Sequence, residues 1–215
     1  MIQIQPINAF SDNYIWLIYN QNGDALVIDP GDATPVLEAL KKQNLSLKAI
    51  LITHHHADHT GGVGPLKAET GATVYGSAEE STPGLDVAVN DNDIVHIESM
   101  NLNFHAFLVP GHTKGHLSYY DGIHLFSGDT LFSMGCGRIF EGSPEQMFNS
   151  LNRLKELPNE TMIFAAHEYT QANLKFAMAV DSDNSDLQAF SFEVDKTRTG
   201  LQPTLPSSIN LDKRF

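Results

Sequence analysis

Cysteine is nearly absent from this 215-residue chain: Cys136 stands alone, so no intrachain disulfide can form. Basic residues are scarce too, with 13 Lys and Arg against 26 Asp and Glu and a formal net charge of -13. Such a surface repels phosphate backbones and argues against nucleic acid as the main partner, though it leaves room for a small basic pocket. No apolar run approaches the length of a membrane span. The opening MIQIQPINAFSDNY has neither a basic start nor a long apolar core, so it does not read as a secretory signal. These absences predict a cytoplasmic protein with no membrane partner, and a monomer is the favoured state. With 41% hydrophobic and 18% charged residues, the composition suits one globular domain, or one domain with a small appendage.

Short, β-rich apolar runs recur through the body of the chain: YIWLIY (14–19), ALVID (25–29), AILIT (49–53), ATVYG (72–76), LNFHAFLV (102–109), LSYY (117–120), IHLFS (123–127) and MIFAA (162–166). Helical stretches interleave with them at 33–43, 64–71 and 143–157. The last carries Met147, Leu151 and Leu154 at helical spacing, and Ser143 with Gln146 forms a capping-box pattern. Strands alternating with helices predict a layered α/β fold. From Gln171 the pattern changes to two helical stretches, 171–180 and 184–198, followed by a loop over 200–208. The predicted organisation is a main domain over 1–170 and a helical region over 171–215.

Coordinating side chains collect where the apolar runs end. Asp29-Pro30-Gly31 follows ALVI, THHHADH (53–59) follows AILI, and PGHTKGH (110–116) follows AFLV. GDT (128–130) and HEYT (167–170) follow the last two runs. Ligand sites in α/β folds form at strand ends and their loops, so these five segments are expected to converge. In an extended segment His54 and His56 point the same way and His55 points away. Asp58 and His59 are offset toward a different position, which suggests two cations rather than one. Imidazole and carboxylate suit zinc, iron or manganese.

The pattern T-x-H-x-H-x-D-H, PGHTxGH, GDT and a late His resembles the metallo-β-lactamase superfamily. FSDNYIW (10–16), VIDPGD (27–32), GDTLF (128–132), GCGRIFEG (135–142) and AHEYTQANLKFA (166–177) narrow the resemblance to the hydroxyacylglutathione hydrolases, or glyoxalase II. The resemblance implies an αββα sandwich with a short C-terminal helical extension. By position it implies one metal on His54, His56 and His112 and a second on Asp58, His59 and His167, bridged by Asp129. Zinc is expected, with iron or manganese as alternatives. Asp58 and Asp129 would position a metal-activated hydroxide, which attacks a glutathione thioester, typically S-D-lactoylglutathione, and releases D-lactate and glutathione. This is the chemistry of methylglyoxal degradation.

Arg138, Phe140 and Tyr169 occupy positions that contact glutathione in the family, where Lys and Tyr often stand in place of Arg138 and Phe140. His116 is expected to support the site by hydrogen bonding, and His55 to play a structural part. Asp29 reads equally as a support for the site and as a turn former. Cys136, between two glycines, is not expected to be a nucleophile, and His96, His105 and His124 read as ordinary strand histidines. Relatives usually continue past the position of Phe215 with basic residues that grip glutathione, so region 171–215 reads as a truncated substrate-binding part with a weakened hold. Three rival activities fit parts of the pattern: a persulfide dioxygenase, a nuclease or phosphodiesterase, and a non-catalytic metal-binding protein.

Overall fold

In the strand β2 (Asn13–Asn20), Tyr14, Trp16 and Ile18 are buried in one core, and Ile15 and Leu17 are buried in another. A strand covered on both faces belongs to the interior of a layered fold. The computed structural model describes all 215 residues and shows those layers. The first sheet has six strands in chain order: β1 (Ile2–Ala9), β2, β3 (Asp24–Ile28), β4 (Ser46–Leu51), β5 (Thr73–Ser77) and β6 (Val87–Val89). Strands β3 to β6 run parallel. Helix α1 (Ala33–Gln43) crosses from β3 to β4, and α2 (Ala57–Thr60) and α3 (Val63–Thr70) lie between β4 and β5.

The second six-stranded sheet is ordered β14-β13-β10-β9-β8-β7. Its strands are β7 (Ile94–Ile97), β8 (Leu102–Leu108), β9 (Leu117–Tyr120), β10 (His124–Gly128), β13 (Met162–Ala165) and β14 (Ser207–Ser208). A small ribbon, β11 (Leu131–Phe132) with β12 (Gly135–Cys136), leaves the end of β10. Helix α4 (Pro144–Lys155) precedes β13, while α5 (Thr170–Val180), α6 (Ser185–Thr199) and α7 (Ile209–Arg214) make up most of the rest.

Trp16, Leu26, Leu51, Phe104, Tyr119 and Phe126 fill the space between the sheets. The outer face of the first sheet packs Ile15, Val27 and Ile50 against Val36, Leu40 and Leu66 of its helices. On the far side, Phe107, Leu125 and Ile163 meet Leu154 and Ile209. The result is the expected αββα sandwich, with a helical extension that carries its own small core of Leu174, Leu187 and Val194. Trp16 also fixes β13: its ring lies 4.9 Å from Phe164, edge-on, and its indole N–H donates to Ala165 O at 3.0 Å. That burial contributes about 1.5–3 kcal/mol and anchors the strand just before His167.

All eight apolar runs form strands, and the capping box closes through Ser143 Oγ (3.2 Å) and Gln146 Oε1 (2.9 Å). Strand β1, which contains Pro6, is not among the apolar runs. It is an edge strand, where proline is tolerated. Helix α7 follows the expected loop over 200–208, and Ser208 Oγ caps it by accepting from Leu211 N–H at 3.2 Å.

Candidate metal centre

The ends of β4, β10 and β13 and the β8–β9 loop bring their coordinating side chains to one edge of the sandwich. After β4 the chain stays extended through His56 and then turns into α2, which offsets Asp58 and His59 as the spacing predicted. His54 Nε2 and His112 Nε2 each lie 3.0 Å from His56 Nδ1. The outer nitrogens of two rings are tied down: His54 Nδ1 lies 3.0 Å from Thr53 Oγ1, and His112 Nδ1–H donates to Arg138 O at 2.7 Å. The inner nitrogens therefore aim lone pairs at a common point. Tetrahedral zinc at about 2.0–2.1 Å from each nitrogen spaces such atoms by roughly 3.3 Å, so the trio fits a cation.

The second trio is Asp58, His59 and His167, with His59 Nε2 at 3.4 Å and His167 Nε2 at 3.5 Å from Asp58 Oδ2. Asp129 stands between the trios. Its Oδ2 is 3.4 Å from His112 Nε2, and its Oδ1 is 3.6 Å from His59 Nε2 and 3.3 Å from His167 Nε2. His59 Nε2 and Asp129 Oδ1 are buried and have no hydrogen-bond partner. Leaving such groups unpaired costs about 1–3 kcal/mol each, so both atoms are suited to a ligand between them. All seven residues of the expected ligand set are together.

Charge differs between the trios. Burial lowers the pKa of His54, with His59, His116, His112 and His56 adding repulsion. His56 and His112 are also lowered, chiefly by burial. At His59 burial opposes the charge, but Asp129, Asp29 and Asp58 outweigh it and hold the pKa well above its ordinary value. His167 is raised in the same way, by Asp129 and Asp12 against burial. The His59 contact holds Asp58 well below the carboxylate range. Asp129, despite its burial, is brought down to about 2 by His59, His167 and His112.

Residues around the trios hold them in place. Asp29, at φ 54, accepts from Thr53 N–H (2.8 Å) and Thr53 Oγ1 (2.7 Å) and lies 3.1 Å from His59 Nδ1. It thus serves as both turn and support. His116 Nε2 accepts from the Asp129 N–H at 3.0 Å, as expected of a supporting histidine. Asp12 and Asn13 were given no role from sequence. Asp12 Oδ1 lies 2.8 Å from His167 Nδ1, and Asn13 Nδ2 donates to Asp58 Oδ2 at 3.0 Å. Their signal was the FSDNY motif, which precedes HEYT by more than 150 residues. A Cβ at Gly137 would lie 1.7 Å from Asp129 O, so the GCGR turn needs glycine there.

A cleft of about 520 Å³ opens over the trios and is also lined by Phe132, Arg138, Phe140 and Tyr169. Phe140 is exposed, with its ring 5.2 Å from His112 and 5.5 Å from the Arg138 guanidinium. Tyr169 stacks on His167 at 4.7 Å. Burial, with Asp12, Asp129 and Asp58, pushes its phenol up to about 12, so it remains a hydroxyl donor. Cys136 lies outside this cleft and its thiol is raised by burial. His55 turns away to Glu141, and His96, His105 and His124 pair with Asn103, Asn92 and Asp121.

Residues 10–167 match the metallo-beta-lactamase superfamily, and residues 168–215 match the hydroxyacylglutathione hydrolase C-terminus. The hydroxyacylglutathione hydrolase of Nitrosomonas eutropha is 50% identical over 213 residues, 99% of this chain and 83% of the relative. This chain belongs to the hydroxyacylglutathione hydrolase family. A second hydroxyacylglutathione hydrolase, from Vibrio cholerae, is 50% identical over 99% of this chain and 84% of its own length. Among solved structures, ETHE1 from Myxococcus xanthus is 34% identical with a TM-score of 0.70, covering 79% of this chain and 76% of that one. TTHA1623, solved in a di-iron-bound form, is 29% identical with a TM-score of 0.66, covering 76% and 91%. The metallo-beta-lactamase fold and the His/Asp cluster together suggest two divalent metals. No helix is long and apolar enough to cross a membrane.

Proposed function

We propose that the chain hydrolyses S-(2-hydroxyacyl)glutathione thioesters, typically S-D-lactoylglutathione, to D-lactate and glutathione. The observation that carries this reading is the shared carboxylate of Asp129 between two cation-ready trios, at the base of a cleft bearing Arg138 and Tyr169. His54, His56 and His112 would hold one cation, Asp58, His59 and His167 the other, and Asp129 both. Zinc suits this nitrogen and oxygen set, with iron or manganese as alternatives. When bound, two divalent cations supply Lewis acidity that brings the pKa of water toward ~7 and polarises a carbonyl.

The chain's own residues do the rest. Asp58, held by Asn13, and Asp129, held by His116, accept hydrogen bonds from the nucleophile and orient it toward the thioester carbon. The C–O bond forms, the C–S bond breaks, and glutathione leaves as a thiolate that takes its proton from solvent. A thiolate is a good leaving group, so the scarcity of acids in the cleft is no obstacle. Arg138 is suited to a glutathione carboxylate, Phe140 to its apolar stem, and Tyr169 to a carbonyl. In the same reading, residues 1–170 carry the chemistry and 171–215 contribute to substrate binding. The partner is a small anionic molecule rather than nucleic acid, consistent with the net charge of -13, and we place the protein in the cytoplasm as a monomer.

The substrate class is tested with Arg138→Ala. A charge-assisted hydrogen bond contributes about 1.5–3 kcal/mol, so KM for lactoylglutathione should rise roughly ten- to hundred-fold with kcat little changed. KM for a simple thioester without the glutathione carboxylates should stay the same. An equal rise for both would remove Arg138 from substrate recognition.

A further inference from the structure

His54 and His56 come from the loop after β4, in the first sheet, and His112 from the β8–β9 loop in the second. One backbone bond, from Leu117 N–H to Thr53 O at 2.8 Å, joins these loops at their base. Their tips meet on Glu80, in the turn that follows β5. Its Oε2 accepts from His55 N–H at 2.8 Å, and its Oε1 accepts from Gly115 N–H at 2.9 Å and from the Thr113 hydroxyl. Two of these donors adjoin the expected ligands directly: His55 lies between His54 and His56, and Thr113 follows His112. A Cβ on Gly115 would stand 2.6 Å from Glu80 Cγ and 2.9 Å from Glu79 Cβ. Glycine at this position in PGHTKGH is what lets the carboxylate in. Glu141 bridges the same loops from outside, through His55 Nε2 at 2.7 Å and Lys114 N–H at 3.2 Å, but it is more open to solvent.

From this bridge we infer that Glu80 is a positioning residue that sets the spacing of the all-imidazole pocket, His54, His56 and His112, without touching cation or substrate. Ionised acceptors form the shorter and stronger class of hydrogen bond, and one carboxylate can receive from both loops at once. Glu80 has no counterpart in the second pocket, which Asn13 and Asp12 hold instead. The effect of losing it is therefore selective. The inference rests on the reading of both trios as cation sites.

The test is a cobalt(II) titration of the full chain, following the paramagnetically shifted ring N–H resonances of His54 and His112 for one pocket and His167 for the other. In Glu80→Ala, the His54 and His112 signals should appear only at about 10- to 100-fold higher free cobalt, with the His167 midpoint unmoved. Glu80→Gln keeps one acceptor oxygen and should fall between the parent and Glu80→Ala. Glu141→Ala breaks only the outer, exposed bridge and should shift neither midpoint by more than about threefold. Equal weakening of both pockets, no change at His54 and His112, or a larger effect from Glu141→Ala would overturn the inference. A parent chain that binds no cobalt at either pocket would instead overturn the reading of the site itself.

Discussion

At His54, His56 and His112, burial and the repulsion of neighbouring imidazoles favour the neutral rings that a cation needs as donors. Around Asp58, His59 and His167 the balance is reversed. Carboxylates outweigh burial there and hold both histidines toward the charged form. The first pocket offers lone pairs with little charge of its own, and its geometry depends on how two loops from different sheets are held apart. The second includes a carboxylate of its own, Asp58, and its geometry depends on Asp12 in the β1–β2 turn and Asn13 at the start of β2. Asp129 places one carboxylate oxygen toward each trio.

The largest expected effect comes from removing what the pockets share. Asp129→Ala should lower thioester turnover by more than about 100-fold, beyond what losing a supporting residue produces, and should reduce the content of both cations. Elemental analysis showing one cation lost and the other intact would break the symmetry assigned to Asp129. Asn13→Ala is more selective. It removes a charge-assisted bond to Asp58 worth about 1.5–3 kcal/mol, so affinity in the second pocket should fall roughly ten- to hundred-fold while the first is unaffected. Equal losses in the two pockets would show that they are not separately held.

Asp212 extends the comparison to a half-buried carboxylate without imidazole partners. It receives hydrogen bonds from Ser133 Oγ, Ser207 Oγ and Met134 N–H, yet burial raises its pKa, the reverse of Asp129. A folded pKa above the unfolded value gives stability that is fully present below the unfolded pKa and lost as pH rises through the folded one. Asp212→Asn should therefore be most destabilising near pH ~4 and become less so toward neutrality, as read from urea midpoints. A difference that grows with pH would reverse the assignment. The smallest effects belong to His55 and Cys136. The His55–Glu141 pair is partly exposed and contributes about 0–1 kcal/mol, so His55→Ala should leave metal content nearly unchanged. Cys136→Ser should keep most of the turnover, and a folded, metal-loaded but inactive variant would require a covalent thiol mechanism.

Much of the fold and of the site is legible in the sequence alone. Apolar runs such as AILI and MIFAA carry the strand signal within themselves, and the coordinating residues follow those strands at once, so their convergence could be expected. The spacing of His54, His56, Asp58 and His59 already separated two directions. What the sequence hid were residues that act across the fold. Asp12 meets His167 from 155 positions away, and Glu80 reaches His55 and Gly115 from 25 and 35 positions away, with no periodicity to mark the pairing. β1 was hidden by Pro6, which reads as a break unless the strand is known to lie at an edge. Helix α7 is six residues long, too short for a helical period to show.

The most direct test of the central claim is thiol release from S-D-lactoylglutathione by the cation-depleted chain, followed as zinc is added back and counted on the same preparation. Turnover should be absent without cation and should rise to a plateau as the second equivalent binds. Full turnover in the cation-free chain, or no thiol release from a chain carrying two equivalents, would contradict the claim.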